Sequence, residues 1–509
     1  MLHAAFISGS RSQVKHRQCA QKFSDWFSAP HLTVHAIASF LNSMRLLFFL
    51  ALVVSLHAAP RPNILFLIGD NWSYEHAAAN GCAAVKTPAF DRIAKEGMNF
   101  ANAFCPVPSC SPTRSCILTG RTAHQLEDMA SLWSRFHPQF RLFTDALAES
   151  GYRTGFTGKG WSPGKFKEFG REQNPAGKEF KDFATFLAGR KADSPFFFWF
   201  GSVHTALHRF KLVDGVAAGI DLSKIRVPAY LPDTPEVRRE IASYLAAAQQ
   251  MDAAFGDAIA LLEKSGQLDN TVIIYTSDNG WQMPRGLANC HDSGSHVPLA
   301  VRWPGKVAAG SRSDAFISLT DFAATFLELA DVKPWPEMTS RSFLNVLTGQ
   351  SDGKDRAQVF LERERHANVR SGDASYPCRA VRNADFLYIR NLRPDRWPAG
   401  DPQLHFAVGP YGDVDPTKTK QLILDQREGV MKPFFDLNFA KRPAEELYDL
   451  RRDPDQVQNL ATDPAQTATK AKLAAQVEAW MRDTQDPRVD PQNDAWDRFP
   501  YFGGRAKLP

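Results

Sequence analysis

The chain has 509 residues, 44% of them hydrophobic and 23% charged, the composition of a folded protein with length for one large domain and a smaller one. The formal charge of +5 sits mostly at the start, where residues 1–59 carry Arg11, Lys15, Arg17, Lys22 and Arg45 against Asp25 alone, and the remainder is close to neutral. Net charge therefore excludes a general nucleic-acid or polyanion surface, and recognition of an acidic substrate has to be local.

Met44-Arg45, the apolar run Leu46–Leu56 and then His57-Ala58-Ala59 have the three parts of a secretory signal peptide. The run is 11 residues long, too short to span a bilayer, and no later segment reads as a membrane span. Residues 1–43 lack periodicity and read as an upstream extension before a start at Met44, with residues 44–59 as the signal. The expectation is an exported, periplasmic or extracellular protein with no stable membrane insertion. The cysteines (Cys19, Cys82, Cys105, Cys110, Cys116, Cys290 and Cys378) fit neither metal-ligand nor dense disulfide spacing, and the sequence does not choose a disulfide pair.

Asn63–Ile68 is a continuous apolar run, the mark of a strand buried on both faces, and it ends in Gly69-Asp70-Asn71. Cys110-Ser-Pro-Thr-Arg114 followed by Leu118-Thr-Gly-Arg121 reads as a short helix, with Pro112 in its first turn, Gly120 as C-cap and Cys110 at its N-terminal mouth. Free backbone N–H groups make such a mouth suited to an anion, and Arg114 one turn on adds a fork of donors.

Residues 151–158 form a short strand ending at Gly158-Lys159. Pro195–Phe200 is a third apolar run and leads into His204 and then His208-Arg209. Thr271–Thr276, the last such run, ends in Ser277-Asp278-Asn279-Gly280. Open α/β sheets bind ligands at the carboxyl ends of their strands. Asp70, Asn71, Asp278 and Asn279 can converge there as an all-oxygen site for a hard cation such as calcium, although each pair taken singly also fits a turn. From about residue 350 the texture changes to short strands and charged loops, closing with Glu446-Leu-Tyr-Asp-Leu450, Asp453-Pro454 and Asn459-Leu460-Ala461, then a helix over roughly Ala465–Arg482.

The stretch from Cys110 to Arg121 resembles the type I sulfatase signature, Cys-x-Pro-(Ser/Ala/Thr)-Arg with Leu-Thr-Gly-Arg, and the likeness extends from about Arg61 to Arg488. Within that family it is most similar to heparan N-sulfatase and its bacterial relatives, on Arg226–Pro235, Tyr376–Val381, Tyr388–Asn391 and the closing motif. The resemblance implies an α/β fold, with a large mixed central sheet flanked by helices (alkaline phosphatase-like) and a smaller C-terminal α+β domain on an antiparallel sheet. The implied segments are a catalytic domain over 60–349, a C-terminal subdomain over 350–488 and a tail over 489–509.

It also implies that Cys110 is oxidised to formylglycine (3-oxoalanine) by a formylglycine-generating enzyme or an anaerobic maturase. One Ca2+ ion would be held by Asp70, Asn71, the modified Cys110, Asp278 and Asn279, while Arg114 and Lys159 stabilise the sulfuryl oxygens. His204 is the implied acid, with His208 the alternative.

Three positions depart from the family pattern. Asn71 replaces an aspartate, Trp161 stands where a histidine is expected and Leu287 where a basic residue is expected. His124 is the candidate for the missing histidine; for the missing cation, either Arg285 takes the contact or the site does without it. His208, Arg285, His366 and Arg379 are candidate substrate contacts. The implied reaction is hydrolysis of sulfate esters or sulfamates of sulfated sugars, N-sulfoglucosamine of heparan-like glycans first. The alternatives are a phosphoester or phosphonate hydrolase of the same superfamily, or a glycan-binding protein without turnover.

Overall fold

The computed structural model describes residues 61–191, 194–403 and 409–503. The extension at 1–43, the signal peptide at 44–59 and the last residues of the tail lie outside these. Among the described residues no helix is long and apolar enough to cross a membrane.

The apolar runs become the strands of one sheet. Its strands are β1 (Asn63–Gly69), β2 (Met98–Phe104), β3 (Arg153–Gly158), β4 (Phe196–Gly201), β5 (Thr271–Ser277), β6 (Leu299–Arg302) and β7 (Ser311–Ser318), in the order β3-β4-β1-β5-β6-β2-β7. The first four in that order are parallel; β6 runs antiparallel to both its neighbours, which makes the sheet mixed. Because side chains alternate along a strand, Ile64, Phe66 and Ile68 enter one core while Leu65 and Leu67 enter the other. Helices cover both faces. α1 (Pro88–Glu96) and the long α3 (Pro235–Lys264) fill the side of Leu65, while α2 (Cys110–Thr119) and α4 (Phe322–Leu329) fill the side of Phe66.

The register is what positions the site. Ile68 pairs with Gly201 on one side and Thr276 on the other, and Gly158 pairs with Gly201, so β3, β4, β1 and β5 end in one row. Lys159, Ser202, Asp70 and Asp278 each follow the last residue of one of these strands. The approach at β3–β4 requires glycine, because a Cβ on Gly158, whose φ is +71°, would lie 2.1 Å from the Gly201 carbonyl oxygen.

A second sheet, with strands β8 (Gln358–Arg363), β9 (Cys378–Asn383), β10 (Phe386–Asn391) and β11 (Glu445–Asp449), is antiparallel throughout. α5 (Thr467–Asp483) packs Leu473, Val477 and Met481 against Val381, Tyr388 and Leu447 of that sheet. The architecture is the expected one: a large mixed sheet between helices and a smaller antiparallel sheet.

Candidate active site

α2 begins at Cys110, after Ser109 in extended conformation, and ends on Gly120 in the left-handed region (φ 68°). Every residue of α2 is buried. Cys110 Sγ donates to Asp70 Oδ1 at 3.4 Å and lies 3.8 Å from Asn71 Oδ1. Ligand atoms of Asp70, Cys110 and Asp278 fall within 4.8 Å of one another, close enough to share one cation.

Two cations balance the two carboxylates. Arg114 Nε donates to Asp278 Oδ2 at 2.9 Å, and its Nη1 donates to the carbonyls of Lys159 and Gly160 at 2.6 and 2.8 Å. Lys159 Nζ donates to Asp70 Oδ1 at 2.5 Å. Burial works against ionised Asp70, but Lys159 and Arg114 outweigh it and hold the carboxyl below the usual range. For Asp278 burial wins over Arg114, and the adjacent Asp70 adds to it, so its carboxyl is raised. Lys159 is held above the ordinary ammonium range, since Asp70, Cys110 and Asp278 together outweigh burial. Burial and then Asp70 push the Cys110 thiol well up, so the unmodified side chain is held in its protonated form.

Two buried atoms in this cluster have no hydrogen-bond partner: Arg114 Nη2, a donor, and Asn279 Oδ1, an acceptor. A guanidinium donor without a partner suits an anionic oxygen, and a buried amide oxygen without one, on the residue after Asp278, suits a hard cation. The residues present thus fit a calcium ion. Asn71 occupies the left-handed region (φ 69°), which asparagine tolerates better than most residues. Its amide oxygen accepts from Asn279 Nδ2 at 2.7 Å.

The two histidines after β4 have different surroundings. His204 Nδ1 lies 2.8 Å from Ser202 Oγ, and burial, then Arg209, lowers its pKa. His208 is exposed on a short helix, Leu207–Phe210; burial, then Arg209, lowers its pKa too, but its ring also feels Asp70 and Lys159.

His366 Nδ1 is 2.8 Å from Ser109 Oγ, next to Cys110, and burial holds its pKa near 4 although Asp413 opposes this. It braces the mouth of α2 from the segment after β8.

Three expected contributors lie elsewhere. Arg285 turns to the C-terminal part of the chain, donating to the Leu437 carbonyl and the Tyr448 hydroxyl at 2.6 and 3.2 Å and to the Gln456 carbonyl. Held by two carbonyls and a hydroxyl, it does not replace the cation missing at Leu287. Arg379, 0% exposed, is paired with Asp486 and Glu364 at 2.5 and 2.8 Å and is part of a buried ion-pair network rather than a substrate contact. His124 does not stand in for the missing histidine: Nδ1 lies 2.9 Å from Glu362 Oε2 and Nε2 lies 2.9 Å from Thr484 Oγ1. Trp161 fills the departed position with a buried indole that donates to Ser115 Oγ at 2.8 Å.

Sequence reasoning missed Ser109 and Gln282. Gln282 accepts from Asn71 Nδ2 at 3.0 Å, and only its place three residues after Asn279 offered a clue.

The sequence profile of the sulfatase family matches residues 62–332, and that of the N-sulphoglucosamine sulphohydrolase C-terminal region matches residues 287–401. The chain belongs to the sulfatase family, hydrolases that act on sulfate esters and sulfamates. It is 28% identical over 494 residues to human N-sulphoglucosamine sulphohydrolase, covering 86% of this chain and 94% of that one. It is 27% identical over 483 residues to an ulvan-active sulfatase of Formosa agariphila, covering 85% of this chain and 77% of the relative. A structure in complex with its substrate D-glucosamine-2-N,6-O-disulfate superposes with TM-score 0.58 at 20% identity, over 85% of this chain and all of that one.

Proposed function

We propose that the protein is an exported sulfatase that removes sulfate from a sulfated sugar, with N-sulfoglucosamine of heparan-like glycans as its first substrate. The observation that carries this is the row of strand ends that gathers Asp70, Asp278, Arg114 and Lys159 around Cys110. Support for the sugar comes from the match of residues 287–401 to the N-sulphoglucosamine sulphohydrolase C-terminal region and from the human relative.

Asp70, Asn71, Asp278, Asn279 and the modified Cys110 are the residues that would hold one calcium ion. When present, the ion polarises the sulfuryl oxygens, and formylglycine made from Cys110 by a maturing enzyme supplies a hydrated aldehyde hydroxyl as nucleophile. Arg114 is fixed by Asp278 and two carbonyls, and its buried Nη2, which has no partner, is the donor we assign to a sulfuryl oxygen. Lys159 places a second positive charge beside Asp70 and offsets the charge that develops on sulfate. His208, the histidine in the field of Asp70 and Lys159, delivers the proton to the departing nitrogen or oxygen, with His204 one turn earlier.

The test is sulfate release from N-sulfoglucosamine and glucosamine 6-O-sulfate beside phosphate release from an aryl phosphate, with Cys110→Ala as control. Turnover of the sulfated sugars that Cys110→Ala abolishes is the expected result; preference for the phosphate gives the phosphohydrolase reading instead. A glycan-binding role without turnover is favoured by the burial of Trp161 and Leu287, which leaves two basic family positions apolar. Sugar binding with no release from either sulfated sugar would establish it.

A further inference from the structure

Asn71 replaces a carboxylate of the family pattern with an amide, and an amide serves a cation only if its oxygen faces it. Which way it faces is fixed here by a chain of bonds that begins on backbone groups, whose polarity is not in question. The Leu207 N–H donates to Gln282 Oε1 at 2.6 Å, so the oxygen of Gln282 lies on that side, and its Nε2 donates to Asp415 Oδ2. Asn71 must then present a donor to Gln282 Oε1, and it does, through Nδ2 at 3.0 Å. That leaves Asn71 Oδ1 toward Cys110 and Asn279. Asn279 is fixed in the same way: its Nδ2 donates to the Gly280 carbonyl at 2.9 Å and to Asn71 Oδ1, and its own Oδ1 is the atom without a partner.

We propose that Gln282 is a positioning residue that holds the Asn71 amide with its oxygen toward the cation site, and that it ties this ligand to the His208 helix and to Asp415 of the C-terminal region. Leu207 begins the helix that carries His208, so one side chain sets the metal ligand and the acid-bearing turn together. An aspartate at 71 would set a carboxylate oxygen against Gln282 Oε1, which Leu207 and Asp415 prevent from turning away. Asn71 is therefore matched to Gln282 and is not simply a carboxylate lost. This assignment rests on the calcium reading of the site.

Calcium titration calorimetry of the full-length protein distinguishes the two. Gln282→Met removes the fixed acceptor; with Asn71 present it should weaken calcium binding about tenfold, the scale at which outer partners of metal ligands act. In an Asn71→Asp background the same change should leave the Kd within about twofold or tighten it, because a carboxylate offers an oxygen in either orientation. Gln282→Glu keeps both acceptor bonds but would set its second oxygen against Asp415, so it is made together with Asp415→Asn, whose amide restores a donor there; that pair should bind calcium no more weakly than the parent, which guards against a Met variant that folds poorly. Equal loss in both backgrounds, no loss in either, or a loss with Glu as large as with Met overturns the positioning role. A parent that binds no calcium overturns the metal reading and the assignment with it.

Discussion

The pair Arg114–Asp278 gives the sharpest energetic prediction, because both side chains are 0% exposed and the Nε–Oδ2 distance is 2.9 Å. Arg114→Met leaves Asp278 buried beside Asp70 without its cation, so that it must stay charged or take up a proton at a cost, and strands the carbonyls of Lys159 and Gly160. Breaking one partner of a buried pair costs about 3–5 kcal/mol. Asp278→Asn strands the guanidinium instead and falls in the same range of roughly 3–5 kcal/mol. The double variant removes both charges, so its cost should be smaller than the sum of the singles by at least about 2 kcal/mol. The assay is equilibrium urea unfolding of the parent, both singles and the double, with chelator present so that bound calcium does not enter the comparison. Additivity within about 0.5 kcal/mol would mean that the two groups do not interact, and the electrostatic account of the site would fail.

Four further outcomes follow from the geometry. His76 is buried and its pKa falls to about 3, through burial and then Arg226. The unfolded chain takes up that proton near pH 6.5 and the folded one does not, so stability is full above about 6.5 and falls as pH drops toward 3. The loss at pH 5 is about 2 kcal/mol from this group, and His76→Asn should flatten the pH dependence of urea unfolding; a parent equally stable at pH 5 and pH 7 contradicts it. His208→Asn should lower kcat by about 10²–10³-fold with little change in KM, and more than His204→Asn does; the reverse order would return the acid role to His204. Arg285→Met should cost about 2–4 kcal/mol in unfolding free energy while KM for the sulfated sugar stays unchanged, since its bonds all run to Leu437, Tyr448 and Gln456. Adding chelator to calcium-loaded protein should lower its melting temperature, and an unchanged melt would argue against a bound cation at Asp70 and Asp278.

The elements around the site were legible because buried parallel strands are continuous apolar runs, and each run stopped at a polar group. The runs ending at Asp70, Asp278 and Lys159, and the one leading to His204, became adjacent strands, and a shared register then aligned their ends. α2 was equally plain from Pro112 and Gly120. Arg285, Arg379 and His124 were not legible, because what each side chain does depends on partners 15 to 360 positions away. An arginine that meets backbone carbonyls and one that meets substrate look alike in sequence. Gln282 escaped notice for the same reason: its three partners, Asn71, Leu207 and Asp415, come from three separate segments.

The most direct measurement is the mass of the peptide holding Cys110, taken from protein purified active on sulfated sugar from its own host. Formylglycine, as aldehyde or hydrate, at position 110 is the predicted result. Unmodified cysteine there in fully active protein would contradict the account.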